Sequence, residues 1–195
     1  MTLAGKRIGF ALTGSFCTFE DIMGPLQDLV AIGAQVYPIM SEIAFQLDSR
    51  FGNADCWREQ IRAITGHEII HSIDQAEPIG PKRLFDLLII APCTGNTLAK
   101  LANAITDTAV TMAAKAHLRN ERPILLSIST NDGLGLNAKN LGVLLAARNF
   151  YFVPFGQDDP QQKPTSIVAD PTRLVAAAEH ALAGKQLQPL LIQRT

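Results

Sequence analysis

Small polar residues follow the apolar stretches of this chain at four places. The groups are residues 13–15, Ser41, residues 93–97 and residues 129–131. Their hydroxyl and amide groups donate hydrogen bonds, and their small size lets backbone N–H groups approach a ligand closely. Groups of this kind hold anions such as phosphate. The chemistry indicated by these residues is therefore the binding of a ligand, with an anion as a candidate at the first group, provided that the four groups meet in space.

The third group belongs to the most informative stretch, residues 87–100, which reads LLIIAPCTGNTLAK. Residues 87–91 form a continuous apolar run, which is typical of a strand buried on both faces of a parallel sheet. A polar turn and a helical pattern of apolar residues follow. Open α/β sheets bind ligands where a strand ends and a helix begins, because free N–H groups and the helix dipole point outward there. The alternative is a turn that only caps the helix, but similar turns elsewhere favour a binding site.

Strands and helices alternate along the rest of the chain. Strands are predicted at residues 8–12, 35–40, 68–71, 87–91, 123–128 and 150–153. Helices are predicted from about residue 20 to Gly33, from Leu98, and at residues 55–64, 107–118, 134–148 and 171–183. Residues 72–83 and 156–166 are predicted to be loops. Thr18 and Asp21 have the spacing of a capping box, and Asp170 is predicted to cap the last helix.

This alternation predicts an α/β fold, namely a single-domain, three-layer doubly wound parallel sheet of the Rossmann-like or flavodoxin-like kind. One domain is expected over residues 1–195, with its core at about residues 6–184 and a loosely held C-terminal tail. The carboxyl ends of parallel strands share one edge of the sheet. The four polar groups are therefore expected to outline one pocket.

Composition excludes several classes of partner. The chain has 17 Lys and Arg against 18 Asp and Glu, a formal net charge of -1, so we expect no nucleic-acid partner. The first residues lack the apolar core of a signal peptide, and no apolar run approaches the ~18 residues of a membrane span. We therefore expect a cytoplasmic protein with no membrane partner.

The cysteines and histidines do not form a recognisable site. Cys17, Cys56 and Cys93 are odd in number and lack CxxC spacing, which argues against a disulfide framework and a zinc site. Cys17 and Cys93 lie near polar turns, where a helix N-terminus could activate a thiol, but a buried inert thiol is favoured for each. The four histidines lack metal-ligand spacing and are expected to be structural or exposed. No metal is predicted.

Two further motifs favour ordinary turns over chemistry. Residues 133–138 (GLGLNA) match the GxGxxA fingerprint of dinucleotide sites. However, that fingerprint normally opens the first βαβ unit, and here only one further strand is predicted after it, so a tight turn is favoured. Ser15 lacks the context of a nucleophile elbow, which argues against a serine hydrolase.

Together, the polar groups at residues 13–15, at Ser41 and at residues 91–102 resemble the family of homo-oligomeric flavin-containing cysteine decarboxylases and their relatives. The most specific segment is APCTGNTLAKLANAITD, residues 91–107. Within that family, residues 76–81 (AEPIGP) and 129–133 (STNDG) are characteristic of the subfamily of dipicolinate synthase B subunits. The resemblance extends from about residue 6 to residue 182.

The resemblance implies a flavin mononucleotide (FMN) site. Gly14, Ser15 and Ser41 would hold the phosphate of FMN. The residues that would face its ribityl chain and ring are Cys93, Thr94, Asn96 and Thr97. Hydroxyls and N–H groups suit a phosphate dianion, in agreement with this assignment.

The chain departs from the decarboxylases of the family at two positions. They carry a histidine shortly before the strand that leads to the third polar group, and here that position falls near Pro78. They also carry Pro-Ala-Met-Asn after a later strand, where this chain has residues 128–131 (ISTN) and keeps only Asn131. Both departures argue against oxidative decarboxylation.

The subfamily resemblance implies a polypeptide that works with a separate A subunit to oxidise dihydrodipicolinate to dipicolinate during sporulation, in the mother cell. The hydride acceptor would be a flavin on this chain or NAD(P) on the separate polypeptide. Residues 94–97 and Asn131, a candidate catalytic residue, would hold the small dicarboxylate substrate. The possible counter-charges, among which the sequence does not select, are Lys82, Arg83, Lys100 and Lys139. Members of the family form trimers and larger assemblies, so the resemblance also implies a homo-oligomer.

Two alternatives remain open at this point. The chain could be a non-catalytic flavodoxin-like partner that binds or stabilises the A subunit of the synthase, and the two departures favour this role. It could also be an FMN-dependent cysteine decarboxylase, which would release carbon dioxide from a peptidyl cysteine.

Overall fold

A mostly parallel sheet forms the centre of the molecule. The computed structural model describes residues 2–193. Within them, seven strands form one sheet in the order β2-β1-β3-β4-β7-β6, and β5 also pairs with β4. The strands are β1 Arg7–Leu12, β2 Gln35–Met40, β3 Leu87–Cys93, β4 Ile124–Thr130, β5 Phe150–Phe152, β6 Phe155–Asp159 and β7 Lys163–Ala169. The first five are parallel, whereas β6 and β7 form an antiparallel hairpin.

Helices cover both faces of this sheet. They are α1 Phe19–Ala31, α2 Glu42–Gln46, α3 Ala54–Thr65, α4 Ile73–Ala76, α5 Gly95–Ala102, α6 Ala109–Leu118, α7 Ala138–Ala146 and α8 Leu174–Leu182. The helices α1 and α8 pack together on one face, while α6 contacts α4 and α5, and α5 contacts α7, on the other. Every residue of β3 is buried, as expected of a central strand covered on both faces. The predicted three-layer α/β fold is confirmed.

The end of β4 is forked. Residues Ile124, Leu125 and Leu126 pair with β5 in parallel, and Ser129 and Thr130 then pair with Val168 and Ile167 of β7 in the antiparallel sense. The hairpin β6–β7 occupies the segment predicted as a loop, so that prediction was wrong. The first three residues of β7 are exposed, and a strand with little buried surface lacks the apolar alternation by which strands are found.

Three other predicted elements differ from the structure. Residues 72–83 contain α4 and a 3₁₀ turn, Glu77–Ile79, because Pro78 lies in the first turn, where no N–H is needed. Residues 68–71 form only an isolated bridge between Ile70 and Ile39. The predicted capping box at α1 is absent, since the Thr18 hydroxyl donates to the carbonyl of Ser15 at 2.9 Å instead.

Glycine ends two helices and aspartate precedes a third, and the positions of Gly33 and Asp170 agree with the predictions. Gly33 (φ 93°) terminates α1 in a Schellman motif, in which Ala34 N–H bonds the Leu29 carbonyl at 3.1 Å and Gly33 N–H bonds Val30 at 2.9 Å. Gly66 ends α3 in the left-handed conformation. Asp170 accepts a hydrogen bond from Thr172 N–H before α8.

The described part of the C-terminal segment is held against the sheet, in contrast to the loose tail expected there. The Gln186 side chain accepts from Phe152 N–H at 2.8 Å and donates to the Phe152 carbonyl at 2.7 Å. Leu191 forms a bridge with Phe155. A glutamine amide thus replaces a neighbouring strand beside β5.

None of the helices formed by residues 2–193 has the length and hydrophobicity needed to cross a bilayer.

Candidate functional site

The four polar groups meet at the carboxyl edge of the parallel strands, but they line two cavities rather than one. We call the first the Ser41 cavity, of about 380 Å³, and its relevant lining residues are Gly14, Ser41, Thr94, Asn96 and Thr97. We call the second the Ser129 cavity, of about 540 Å³, and its relevant lining residues are Gly14, Ser15, Thr94, Ser129 and Asn131. The two cavities share Gly14 and Thr94, so these residues form the boundary between them.

A buried threonine fixes that boundary. Thr13 follows β1 and is 1% exposed. Its hydroxyl donates to the Pro92 carbonyl at 2.7 Å and accepts from Thr94 N–H at 3.0 Å. These two bonds join the turn after β1 to the turn after β3, and they orient Gly14 and Thr94 relative to each other.

The Ser41 cavity contains the N-terminus of α5. Thr94 caps this helix by accepting from Thr97 N–H at 3.2 Å. The N–H groups of Gly95 and Asn96 have no acceptor in the part of the chain that the structure describes. The first N–H groups of a helix carry partial positive charge and bind anions readily.

Side-chain donors supplement these N–H groups. The Ser41 hydroxyl accepts from Ala44 N–H at 3.3 Å and keeps its own hydrogen for a ligand. The Thr97 hydroxyl accepts from Thr94 Oγ1 at 3.0 Å and likewise keeps its hydrogen. The exposed Asn96 amide adds two further donors. The cavity therefore offers the donor set that a phosphate requires.

Three charged residues line the Ser41 cavity, and two of them, Lys100 and Asp107, are paired, whereas the exposed Glu42 has no ion pair among the described residues. Lys100 Nζ lies 2.8 Å from Asp107 Oδ1. The hydrogen bond from Lys100 holds the pKa of Asp107 below its usual value. Because this lysine is committed to a carboxylate, the cavity presents hydrogen-bond donors rather than a free cation.

The Ser129 cavity has a different character. The hydroxyls of Ser15 and Ser129 lie 2.8 Å apart, and the Asn131 side-chain oxygen accepts from the Ser166 hydroxyl at 3.3 Å. Four charged residues also line this cavity: Asp21, Arg50, Asp158 and Lys163. It is the larger of the two, and its four charged residues comprise two carboxylates and two cations.

The predicted site residues are thus divided. Ser41, Asn96 and Thr97 line the Ser41 cavity, Ser15 and Asn131 line the Ser129 cavity, and Gly14 and Thr94 line both. Of the four suggested counter-charges, Lys100 lines the Ser41 cavity, whereas Lys82, Arg83 and Lys139 line neither. Sequence analysis placed Thr13 in the first polar group without giving it a role of its own. It missed Arg50 and Lys163, which carried no local signal.

Cys93 lies away from both cavities. It is 0% exposed and pairs with Ile128 inside the sheet, so its side chain cannot face a flavin as expected. Burial raises the pKa of this thiol to about 12. Cys17 and Cys56 are exposed.

The different exposure of the three cysteines predicts how many thiols react in the native protein. With excess Ellman's reagent at pH 8, we expect two cysteines to react in the native protein and three after unfolding, because only about 0.01% of Cys93 would be thiolate at that pH. A Cys93→Ser variant should give two in both states. Rapid reaction of three thiols in the native wild type would contradict the burial of Cys93.

A polar network holds the loop after β4 against α5. Asp132 Oδ1 accepts from the Thr130 hydroxyl at 2.7 Å and from Asn137 Nδ2 at 2.9 Å. Asn140 Nδ2 in turn donates to Asn137 Oδ1 at 2.8 Å. Gly95 lies directly against this network, since an added Cβ would be 2.5 Å from Thr130 Oγ1. The first residue of α5 therefore has no room for a side chain.

Among the described residues outside this edge, His117 and the glycine motif have structural roles. Burial lowers the pKa of His117 to about 4, and its ring bonds the Pro123 carbonyl at 3.0 Å. No group of three or more potential metal-binding side chains occurs within residues 2–193. The glycine motif at residues 133–138 forms a close contact, because a Cβ on Gly133 would be 2.2 Å from Ile167.

Comparison with known proteins agrees with this architecture. The model of the flavoprotein family matches residues 1–171. The dipicolinate synthase B subunit of Bacillus subtilis is 50% identical over 192 residues, 98% of this chain and 96% of that protein. The crystal structure of the dipicolinate synthase B subunit from Bacillus halodurans has 47% identity and a TM-score of 0.92, with both chains covered completely.

More distant structures share the fold. The FMN complex of DmrB from Burkholderia xenovorans, described as a cubic protein cage for redox transfer, has a TM-score of 0.68 at 18% identity over 91% of this chain and 96% of that chain. The FMN-dependent cysteine decarboxylase TvaF has a TM-score of 0.62 at 21% identity, over 91% and 98% of the two chains. The resemblance drawn from the sequence motifs is confirmed. The chain belongs to the flavoprotein family and, within it, to the same group as the dipicolinate synthase B subunits.

Proposed function

We propose that this chain is the FMN-binding B subunit of a dipicolinate synthase, which works with a separate A subunit to oxidise dihydrodipicolinate to dipicolinate. The observation that carries the proposal is the pair of adjoining cavities. A donor-rich cavity suited to phosphate meets a larger, charged cavity suited to a ring and a substrate, at Gly14 and Thr94.

The residues of the Ser41 cavity fit the phosphate of FMN. The free N–H groups of Gly95 and Asn96 and the hydroxyls of Ser41 and Thr97 can all donate to phosphate oxygens. Charge-assisted bonds of this kind are about twice as strong as neutral ones. Gly14 lines both cavities and so lies where the two parts of the ligand would join. In this arrangement Ser15 serves the Ser129 cavity rather than the phosphate.

The Ser129 cavity would then hold the flavin ring and the substrate side by side. When bound, FMN supplies a two-electron acceptor at this position. The chain's own contribution is to hold both rings in place: Thr94 borders the flavin side, while Ser15, Ser129 and Asn131 offer hydrogen bonds to the substrate. Asn131 is in this view a substrate-positioning candidate.

The proposal includes further partners. The A subunit of the synthase would complete the activity and carry any NAD(P) that re-oxidises the system. A homo-oligomer and a place in the mother-cell cytoplasm follow from the same assignment. A non-catalytic role in the same complex is the second candidate, and the region near Pro78 favours it because this chain lacks the histidine that the decarboxylases carry there.

A flavin titration tests the proposal. The purified chain should quench FMN fluorescence saturably, and Asn96→Ala should weaken binding about tenfold because one set of donors to the ligand is lost. Addition of the A subunit together with dihydrodipicolinate should then bleach the bound flavin without oxygen. Binding without bleaching would favour the non-catalytic role. Absence of FMN binding, with dipicolinate still formed, would overturn the flavin part of the proposal.

A further inference from the structure

An arginine that makes no ion pair with any described residue lines the larger cavity. Arg50 borders the Ser129 cavity. Within residues 2–193 its guanidinium group makes no hydrogen bond or ion pair, and its Cζ lies 4.8 Å from the centre of the Phe51 ring. Residues 47–53 carried no predicted element, and this cation was therefore not among the counter-charges suggested by the sequence.

The backbone that carries Arg50 is firmly positioned. Ser49 and Gly52 exchange two backbone hydrogen bonds of 3.1 Å, which close a tight turn with Arg50 and Phe51 at its tip. Gly52 has φ 140° and rests on the Trp57 indole, since an added Cβ would be 2.7 Å from Trp57 Nε1. The turn thus fixes the backbone from which the exposed Arg50 side chain extends to the cavity.

Of the two cations that line the Ser129 cavity, only Arg50 is available to a ligand, because the other is paired with a carboxylate. Lys163 Nζ lies 2.9 Å from Asp158 Oδ2, and this hydrogen bond raises the pKa of Lys163. The remaining carboxylate, Asp21, disfavours an anion on its own side of the cavity. An anionic ligand would therefore direct its charge toward Arg50.

We propose that Arg50 binds a carboxylate of the substrate and thereby selects a dicarboxylate in the Ser129 cavity. The inference rests on the proposed function and names the residue that determines its substrate class. A guanidinium fork matches the two oxygens of a carboxylate and holds them with two parallel bonds. The hydroxyls of Ser15 and Ser129 are the donors available to the second carboxylate.

Binding of pyridine-2,6-dicarboxylate tests this inference. Calorimetry on the full chain should give a Kd that rises about 10- to 100-fold in Arg50→Gln, with a smaller rise in Arg50→Lys, which keeps the charge but loses the fork. Pyridine-2-carboxylate has one carboxylate and should bind the wild type more weakly than pyridine-2,6-dicarboxylate does. Arg148→Gln is the matched control, because Arg148 is exposed and lines neither cavity.

Two further readouts separate this inference from the flavin proposal. Arg50→Gln should keep the thermal midpoint and change the FMN Kd less than about threefold, because the charged phosphate of FMN would lie in the other cavity and only its uncharged ring would share the Ser129 cavity. A wild type that binds FMN but not the dicarboxylate, or an Arg50→Gln variant within twofold of the wild type, overturns the role of Arg50. Dicarboxylate binding that depends on Arg50 in a chain that binds no FMN overturns the flavin proposal alone.

Discussion

Replacing Ser41 with aspartate is expected to weaken FMN binding at least about 100-fold while leaving the fold intact. Ser41 caps α2 through Ala44 N–H, and aspartate caps a helix as well as serine does. The new carboxylate would face the phosphate. Two unit charges about 4 Å apart at an effective dielectric constant of about 20 repel by about 4 kcal/mol, which exceeds the roughly 2.7 kcal/mol of a 100-fold change.

The Ser41→Asn variant is the matched control, because it keeps the cap and the size without the charge. Its FMN Kd should stay within a few fold of the wild type. Riboflavin lacks the phosphate, so its Kd should be the same in the wild type and in Ser41→Asp. Fluorescence titration measures the FMN and riboflavin Kd values of the wild type and of the two variants. Equal losses of FMN and riboflavin in Ser41→Asp would place the phosphate outside the Ser41 cavity.

Replacing Gly95 with alanine is expected to lower the free energy of unfolding by about 3 kcal/mol. The new methyl group would lie 2.5 Å from Thr130 Oγ1, 2.7 Å from Asp132 Oδ1 and 2.8 Å from Asn137 Nδ2. These atoms bond one another, so none can move away without breaking the network. Leaving such groups unpaired costs about 1–3 kcal/mol each. In a chain of this size the thermal midpoint should fall by roughly 6–12 °C.

Gly142→Ala gives the contrasting control. Gly142 lies inside α7, and an added Cβ would meet no atom within 4 Å. Alanine should therefore stabilise this helix by about 0.5–1 kcal/mol. Urea unfolding of both variants in the absence of flavin measures the difference. A Gly95→Ala variant as stable as the wild type would mean that the loop after β4 adapts, and that the network does not fix it.

The parallel part of the fold was predictable because its signals are local. β3 and β4 are apolar runs buried on both faces, and Gly33 and Gly66 end their helices through their own backbone conformations. The hairpin β6–β7 was not predictable in this way. Its place depends on two residue pairs with the end of β4 and on the contact between Ile167 and Gly133, which the local pattern does not contain.

The candidate site shows the same division. The residue types that follow the strands predicted the turns, because the carboxyl ends of parallel strands must meet. The separation into two cavities was not predictable, since it depends on the bonds of Thr13 to the turn after β3. The burial of Cys93 depends on the direction of one side chain in β3, and Arg50 reaches its cavity only because the turn at Ser49 and Gly52 closes.

The fork at the end of β4 makes this architecture modular. The Ser41 cavity is bordered by elements around β1, β2 and β3, whose registers do not involve the hairpin. The Ser129 cavity takes Asp158 and Lys163 from β6–β7, which joins β4 through Ser129 and Thr130. Exchange of this hairpin can therefore diversify the ligand of one cavity while the other stays unchanged. For protein engineering, β6–β7 is the segment to graft or randomise when a different ligand is sought for the Ser129 cavity on the same scaffold.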